Sequence, residues 1–145
     1  MLPKNLTSEQ RLNIWRTFRQ QEFQDISEIV ANFPFQEFES RYLDYYTPKS
    51  WPSPFEIVSE GYLCQSGVTL VLTATLMNKK FLKCEELSLP VISNNITGST
   101  GLVLLYEDQV FNFTPGKVET LEYLKENSTS FQYHRIAKKD IFLDI

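Results

Sequence analysis

Three residues of the chain could support nucleophilic chemistry: Cys64, Cys84 and His134, which is the only histidine. A thiol becomes a strong nucleophile beside a base, and imidazole is a common base in such pairs. Sequence distance does not decide whether these residues meet, so a Cys–His pair stays open as one hypothesis. The alternative is that both thiols are small core residues in predicted strands. His134 would then lie on a surface or edge strand.

Metal and phosphate sites are not indicated by the residue patterns. A zinc site needs three or four converging His, Cys or carboxylate ligands, and the chain has no C-x-x-C or H-x-x-x-H spacing. The string from Thr97 to Gly101 could bring backbone N–H groups near a phosphate. However, it runs into an apolar strand pattern and lacks the lysine of a P-loop. We therefore predict a strand connection there, no metal and no cofactor.

Two carboxylate pairs, Glu85-Glu86 and Glu107-Asp108, are adjacent in sequence. Neighbouring residues on a strand point to opposite faces, so Glu85 and Glu86 are poorly placed to act together across a sugar bond. Glu107-Asp108 is predicted to be the turn of a hairpin. The same dipeptide could also contribute to an acidic contact surface.

Aromatic residues around a proline-rich segment are candidates for protein contact. Trp51 lies among the prolines of residues 47–54, and Tyr45 and Tyr46 come just before it. Tyr and Trp are favoured at interfaces because they bury large areas with few rotatable bonds. The alternative is that the segment lies over the sheet and Trp51 fills its edge. The candidate partner-binding residues are thus Tyr45, Tyr46, Trp51, Glu107 and Asp108.

Composition and charge limit the possible classes of function. The chain has 145 residues, 42% of them hydrophobic, and a net charge of −4. Residues 55–116 hold only three lysines against six acids, whereas nucleic-acid binding needs a basic face. This charge balance disfavours a nucleic-acid partner. No apolar run has the length of a signal peptide or a membrane helix, so we expect a cytoplasmic protein without a membrane partner.

Hydrophobic spacing predicts helices in the first third. Thr7 and Gln10 match a capping box, and an apolar stripe at three- and four-residue steps follows as far as Pro34. A second helix is predicted from Pro34 to Tyr46. Three prolines then make residues 47–54 a stiff connector.

After the connector, apolar residues recur at every second position. Strands are predicted over residues 55–64, 68–77 and 80–92, with a turn at Asn78-Lys79, followed by a hairpin of 102–106 and 109–114. A short helix beginning at Thr114 is predicted over about 115–127, with closing strands at 131–136 and 141–145. The predicted fold class is α+β: an N-terminal helix or helical pair, then an antiparallel sheet with one further short helix. We expect a single domain over 1–145, with a helical segment 1–46 and a mainly β segment 55–145.

The favoured function is a small cytoplasmic protein-binding module. In size, charge and architecture the chain resembles bacterial immunity proteins, which neutralise a toxin by direct binding. That resemblance implies an acidic inhibitor whose partner is a basic protein, because complementary charge speeds association. Two alternatives are an enzyme with a Cys/His site, and single-stranded nucleic-acid binding by an aromatic sheet face.

Overall fold

The computed structural model describes residues 5–35, 41–83 and 85–137. Helices come first and an antiparallel sheet follows, with one short helix near the C-terminus, so the predicted α+β class is confirmed. The elements are α1 (Ser8–Gln20), α2 (Ile26–Asn32), a 3₁₀ turn (Pro48–Ser50), α3 (Pro54–Glu60), α4 (Gln65–Asn78), β1 (Glu86–Asn94), β2 (Thr100–Leu102), β3 (Leu104–Tyr106), β4 (Gln109–Phe111), β5 (Val118–Thr120), α5 (Leu121–Asn127) and β6 (Ser128–Ala137).

The N-terminal helix begins as predicted but is interrupted. Thr7 and Gln10 form the capping box reciprocally at the start of α1. The predicted continuous helix to Pro34 is wrong, because Asp25 starts a new helix by accepting from the N–H of Glu28. The Glu28 carboxylate in turn accepts from the N–H of Gln24, which fixes the break.

Residues 55–64 are not the predicted strand. They contain α3, which Ser53 and Glu56 open with a second capping box around Pro54 at the first helical position. Gly61 closes the helix in the left-handed region with φ of 81°. These cap signals were present in the sequence, and they outweigh the apparent two-residue spacing.

The predicted strand over 68–77 is also wrong, because it is the central helix α4. All residues from Ser66 to Leu76 are buried, so the helix has no polar face and its sequence shows no helical stripe. Its threonine hydroxyls donate to backbone carbonyls one turn earlier. That of Thr73 donates to the carbonyl of Thr69 at 2.7 Å, and that of Thr75 to the carbonyl of Val71 at 2.8 Å. The predicted turn at Asn78-Lys79 is the end of this helix.

The sheet is antiparallel and centred on β1. β6 pairs along the whole length of β1 on one side, while β2 and β3 pair with successive parts of its other side. β4 and β5 continue outward from β3. Leu87, Leu89 and Val91 face the helices α1 to α4, and a smaller cluster around Val103 and Val110 packs against α5 on the opposite face.

In the C-terminal part of the chain, the predicted hairpin is present, whereas the helix begins later than predicted. β3 and β4 pair with Tyr106 opposite Gln109, as predicted for a turn at Glu107-Asp108. Thr114 does not cap a helix, because it binds the carboxylate of Glu119 through both its N–H and its hydroxyl. The helix begins later, at Leu121, with Thr120 as its cap.

The predictions for residues 34–46, for the C-terminal strands and for the domain division have different outcomes. The helix predicted from Pro34 to Tyr46 is not formed at residues 34–35 or 41–46, and residues 36–40 lie outside the described residues. The strand predicted at 131–136 lies within β6, whereas the one at 141–145 falls outside the described residues. The division into a single domain stays a prediction.

Candidate partner-binding surface

His134 is part of the packing between the sheet and the connector. It lies on β6 opposite Leu89 of β1 and is buried. Its Nε2 is 2.8 Å from the carbonyl oxygen of Tyr45, and its ring meets the ring of Trp51 edge-on at 5.5 Å between centroids. A carbonyl oxygen can only accept, so Nε2 is the donor in this bond.

Cys64 is separate from this histidine. It is the N-terminal cap residue of α4 and is buried, and its Sγ lies 4.0 Å from the carbonyl oxygen of Tyr62. Both Cys64 and His134 are among the described residues, and no hydrogen bond joins them there. The hypothesis of a Cys64–His134 pair is therefore not supported by the geometry. Cys84 lies outside the described residues.

A closed polar network surrounds the start of α4, and sequence reasoning missed it. The Gln65 amide donates to the carbonyls of Leu102 and Asn112, the second at 3.1 Å. The Asn112 amide donates to the carbonyl of Gln65 at 3.1 Å and to the hydroxyl of Thr69 at 2.8 Å. Gly101 permits this close approach, since a Cβ there would lie 1.9 Å from Oε1 of Gln65. Each partner is satisfied, so the network stabilises the contact between α4 and the sheet.

The connector is fixed by its own aromatic and acidic residues. Trp51 is only 9% exposed, and its Nε1 donates to the carbonyl of Asp44 at 2.7 Å. The Asp44 carboxylate accepts hydrogen bonds from the Thr47 hydroxyl and the Tyr46 N–H. These two bonds, of which the one from Thr47 has the larger effect, hold the pKa of Asp44 below its usual value. Trp51 thus fills the edge of the sheet, which was the alternative to an exposed anchor.

The two tyrosines before the connector differ in exposure. Tyr45 is half-buried, and burial is the main cause that raises its pKa, followed by the nearby Tyr46 and Asp44. The Tyr46 ring lies 4.8 Å from that of Tyr45 and is 45% exposed. Tyr42, which the sequence did not single out, is 66% exposed. Tyr46 and Tyr42 are therefore the aromatic side chains available for contact here.

A groove of about 500 Å³ separates the connector from the end of β6. Its two charged side chains are Lys49 and Arg135, and its apolar wall includes Trp51 and Ile136. Neither Lys49 nor Arg135 was predicted to belong to a site. Their neighbourhood depends on contacts between residues about ninety positions apart, which no local pattern reveals.

The hairpin tip presents an exposed acidic pair. Glu107 and Asp108 have φ of 51° and 63°, which is the left-handed conformation that a two-residue type I′ turn requires at both positions. Glu86 and Glu107 line one groove, and Glu86 pairs with Ala137 at the end of β6. We call the exposed carboxylates at this end of the sheet the acidic end; its members are Glu85, Glu86, Glu107 and Asp108.

The acidic end and the connector lie at the same end of the sheet. Ser88 of β1 pairs with Leu105 on one side and with Arg135 on the other. Strands are about 4.8 Å apart, so the two flanking strands are separated by about 10 Å across β1. The structure therefore places the hairpin of Glu107 on one side of β1 and the connector beside β6 on the other, and it buries Trp51.

Comparison with known proteins gives a structural likeness. No family model and no curated protein matches the chain. Solved structures of LapG from Legionella pneumophila are similar in fold. The calcium-bound form has a TM-score of 0.60 and 12% identity, and the match covers 93% of this chain and 82% of that chain. The EGTA-treated form gives 0.58 and 12%, with 91% and 78% covered. At this identity the likeness shows the fold alone.

The described residues contain neither a metal cluster nor a membrane helix. No group of three or more His, Cys, Asp or Glu side chains in residues 5–35, 41–83 and 85–137 is arranged to hold a metal ion. In the same ranges, no helix is both long and apolar enough to cross a bilayer.

Proposed function

We propose that the chain is a protein-binding module of the inhibitor or immunity type, which neutralises a basic partner such as a toxin by direct contact. The observation that carries the proposal is the division between buried and exposed groups. His134 and Cys64, which could do chemistry, are buried and hydrogen-bonded, whereas the four carboxylates of the acidic end and the Tyr46 ring are exposed.

The charge of this surface favours a basic partner. The acidic end has four exposed carboxylates; among the described residues, the cations nearest to it are Lys83 and, on the connector side, Lys49 and Arg135. Complementary charges raise the association rate and disfavour acidic competitors, and the effect falls as salt screens it. Tyr46 adds an amphipathic ring that can be buried at low entropic cost. The partner class follows from this charge, and its identity is a matter for experiment.

The structure offers a charge-removing variant that does not strain the fold. Glu107→Asn with Asp108→Gly replaces two carboxylates by the pair of residues that type I′ turns prefer. The matched control is Glu22→Gln with Glu126→Gln. Both control residues are exposed and lie away from the acidic end, and their substitution also removes two charges.

The test is capture of partners from the native host with the wild-type chain and both variants. The proposal predicts a one-to-one complex with a basic protein, which the tip variant weakens and the control variant leaves nearly unchanged. An acidic partner, no stoichiometric partner, or equal loss in both variants would reject it.

A further inference from the structure

A second surface of different chemistry lies on the helical side of the molecule. Arg16 and Arg19 of α1 and Phe55 of α3 border a groove of about 450 Å³, whose floor includes the apolar side chain of Leu12. Phe55 is 41% exposed, which is unusual for a large apolar ring on an otherwise well-packed helix pair. This groove, which we call the α1 groove, shares no residue with the acidic end or the connector.

The guanidinium of Arg19 is held in place by aromatic rings. Its Cζ lies 4.1 Å from the ring centroid of Trp15 and 5.8 Å from that of Phe55. Trp15 is fully buried and is itself fixed, because its Nε1 donates to the hydroxyl of Thr75 at 2.9 Å. Stacking on a rigid ring orients the planar fork of an arginine before any ligand arrives.

One nitrogen of Arg19 lacks the partner that such a group normally has. Its Nε is buried and has no hydrogen-bond partner in the part of the chain that the structure describes. Arg11 of the same helix is the contrast: its nitrogens donate to the carbonyls of Leu6, Val58 and Ser59. Within the described ranges the ion pair present is Arg41–Glu60, and neither arginine of the α1 groove has a carboxylate partner. Burial, and then the charge of Arg16, lower the pKa of Arg19.

The local charge selects the kind of anion. Among the described residues that line the α1 groove, two guanidinium groups face one carboxylate, Glu9, which leaves one net positive charge. A single carboxylate on an apolar segment balances that charge and covers Phe55 and Leu12. The two negative charges of a phosphate dianion would exceed the single positive charge of the groove, and Glu9 would also repel them.

We propose that the α1 groove binds a partner segment that carries a carboxylate beside an apolar side chain, with Arg19 as the charged contact. The carboxylate would accept hydrogen bonds from the terminal nitrogens of Arg19 and Arg16, and the apolar side chain would cover the Phe55 ring. This site is independent of the proposed function, because its residues and its ligand charge are different.

The probe for this proposal is the peptide acetyl-Leu-Glu-Leu-amide, compared with acetyl-Leu-Gln-Leu-amide. Arginine Nε–H signals are followed by NMR during titration of the full chain. We expect the Glu peptide to shift the Arg19 signal saturably, with an affinity about tenfold above that of the Gln peptide, since one charge-assisted hydrogen bond separates them. Arg19→Gln should abolish the difference, and Lys117→Gln should leave it unchanged.

Two further arms keep the result decisive. Arg16→Gln changes an exposed residue, so it should fold and weaken the Glu peptide severalfold even if Arg19→Gln is unstable. Inorganic phosphate and a single-stranded oligonucleotide are titrated in parallel. The proposal is overturned if the two peptides shift the Arg19 signal equally or not at all, or if phosphate or the oligonucleotide is preferred.

Discussion

The start of α4 and the connector both contain buried polar groups, but they are built differently. At α4, the amides of Gln65 and Asn112 each donate to the backbone carbonyl of the other residue, and the Asn112 amide also donates to the Thr69 hydroxyl, so that these groups satisfy one another inside the core. At the connector, Trp51 and His134 bond to single backbone carbonyls of residues 44 and 45. The first region fixes the fold, whereas the second fixes one surface segment on it.

This difference explains where function can reside. A closed network in the core has no capacity left for a ligand, and a change in it strains several elements at once. The connector lies at the surface beside β6, and a change there alters one segment. The comparison therefore predicts large, global effects at α4 and smaller, local effects at the connector and the hairpin.

The largest effect is expected from Gly67→Ala in α4. A Cβ at this position would lie 1.7 Å from the carbonyl oxygen of Tyr62, and backbone cannot move away cheaply. We expect a loss of more than about 4 kcal/mol in the free energy of unfolding, which removes most of the stability of an ordinary domain. Denaturation followed by circular dichroism measures it.

Gly98→Ala is the matched control for that substitution. Gly98 has φ of 78°, but nothing lies within 4 Å of its added Cβ. We expect a cost of about 1 kcal/mol from the left-handed backbone alone. Equal stability of the Gly67→Ala and Gly98→Ala variants would contradict the close packing of Gly67 against the Tyr62 carbonyl.

His134 separates a structural role from a chemical one. We expect His134→Ala to lower the free energy of unfolding by about 2 kcal/mol, through the lost bond to Tyr45 and the lost contact with Trp51. His134→Gln can still donate to the Tyr45 carbonyl, so it should recover about half of that loss and keep partner binding. Chemical denaturation and a binding assay measure both. Binding or activity lost equally in the Gln and Ala variants would indicate a chemical role.

The sequence predicted those elements whose signals are local. The capping box of Thr7 and Gln10 and the hairpin at Glu107-Asp108 depend on a few adjacent residues, and both are found. The caps of α3 were equally local, and Ser53, Glu56 and Gly61 could have revealed that helix.

The remaining features depend on long-range contacts. α4 resembles a strand in sequence because complete burial removes the polar face that identifies a helix. The bond between His134 and Tyr45 joins residues 89 positions apart, and nothing near either residue indicates it. The acidic end likewise depends on the register of three strands. Tyr46 and Glu107 could be proposed from their residue types, but their places in the fold could not.

A smaller effect of opposite sign is expected at the hairpin tip. Glu107→Asn with Asp108→Gly relieves two residues that are held at positive φ. We expect the free energy of unfolding to rise by about 1 kcal/mol and Tm by about 4 °C. Differential scanning calorimetry measures the change. A decrease would mean that the turn is not of the I′ type.

The smallest effect is expected from the pH dependence of the connector. The pKa of Asp44 is lowered in the folded protein, so its contribution to stability is present above the unfolded pKa and is lost as pH falls through the folded value. Below about pH 4 the wild type should lose this contribution, while Asp44→Asn should vary less with pH. Thermal melts from pH 6 to pH 3 compare them. Parallel curves for the two proteins would contradict the role given to Asp44.

The central claim is contact with a basic partner through the acidic end, and association kinetics test it most directly. For the partner captured from the host, we predict that Glu107→Asn with Asp108→Gly lowers the association rate severalfold at low salt, at most about tenfold. The difference should fade as salt rises, and the Glu22→Gln with Glu126→Gln control should associate nearly as fast as wild type. Equal rates for both variants at every salt concentration would contradict the account.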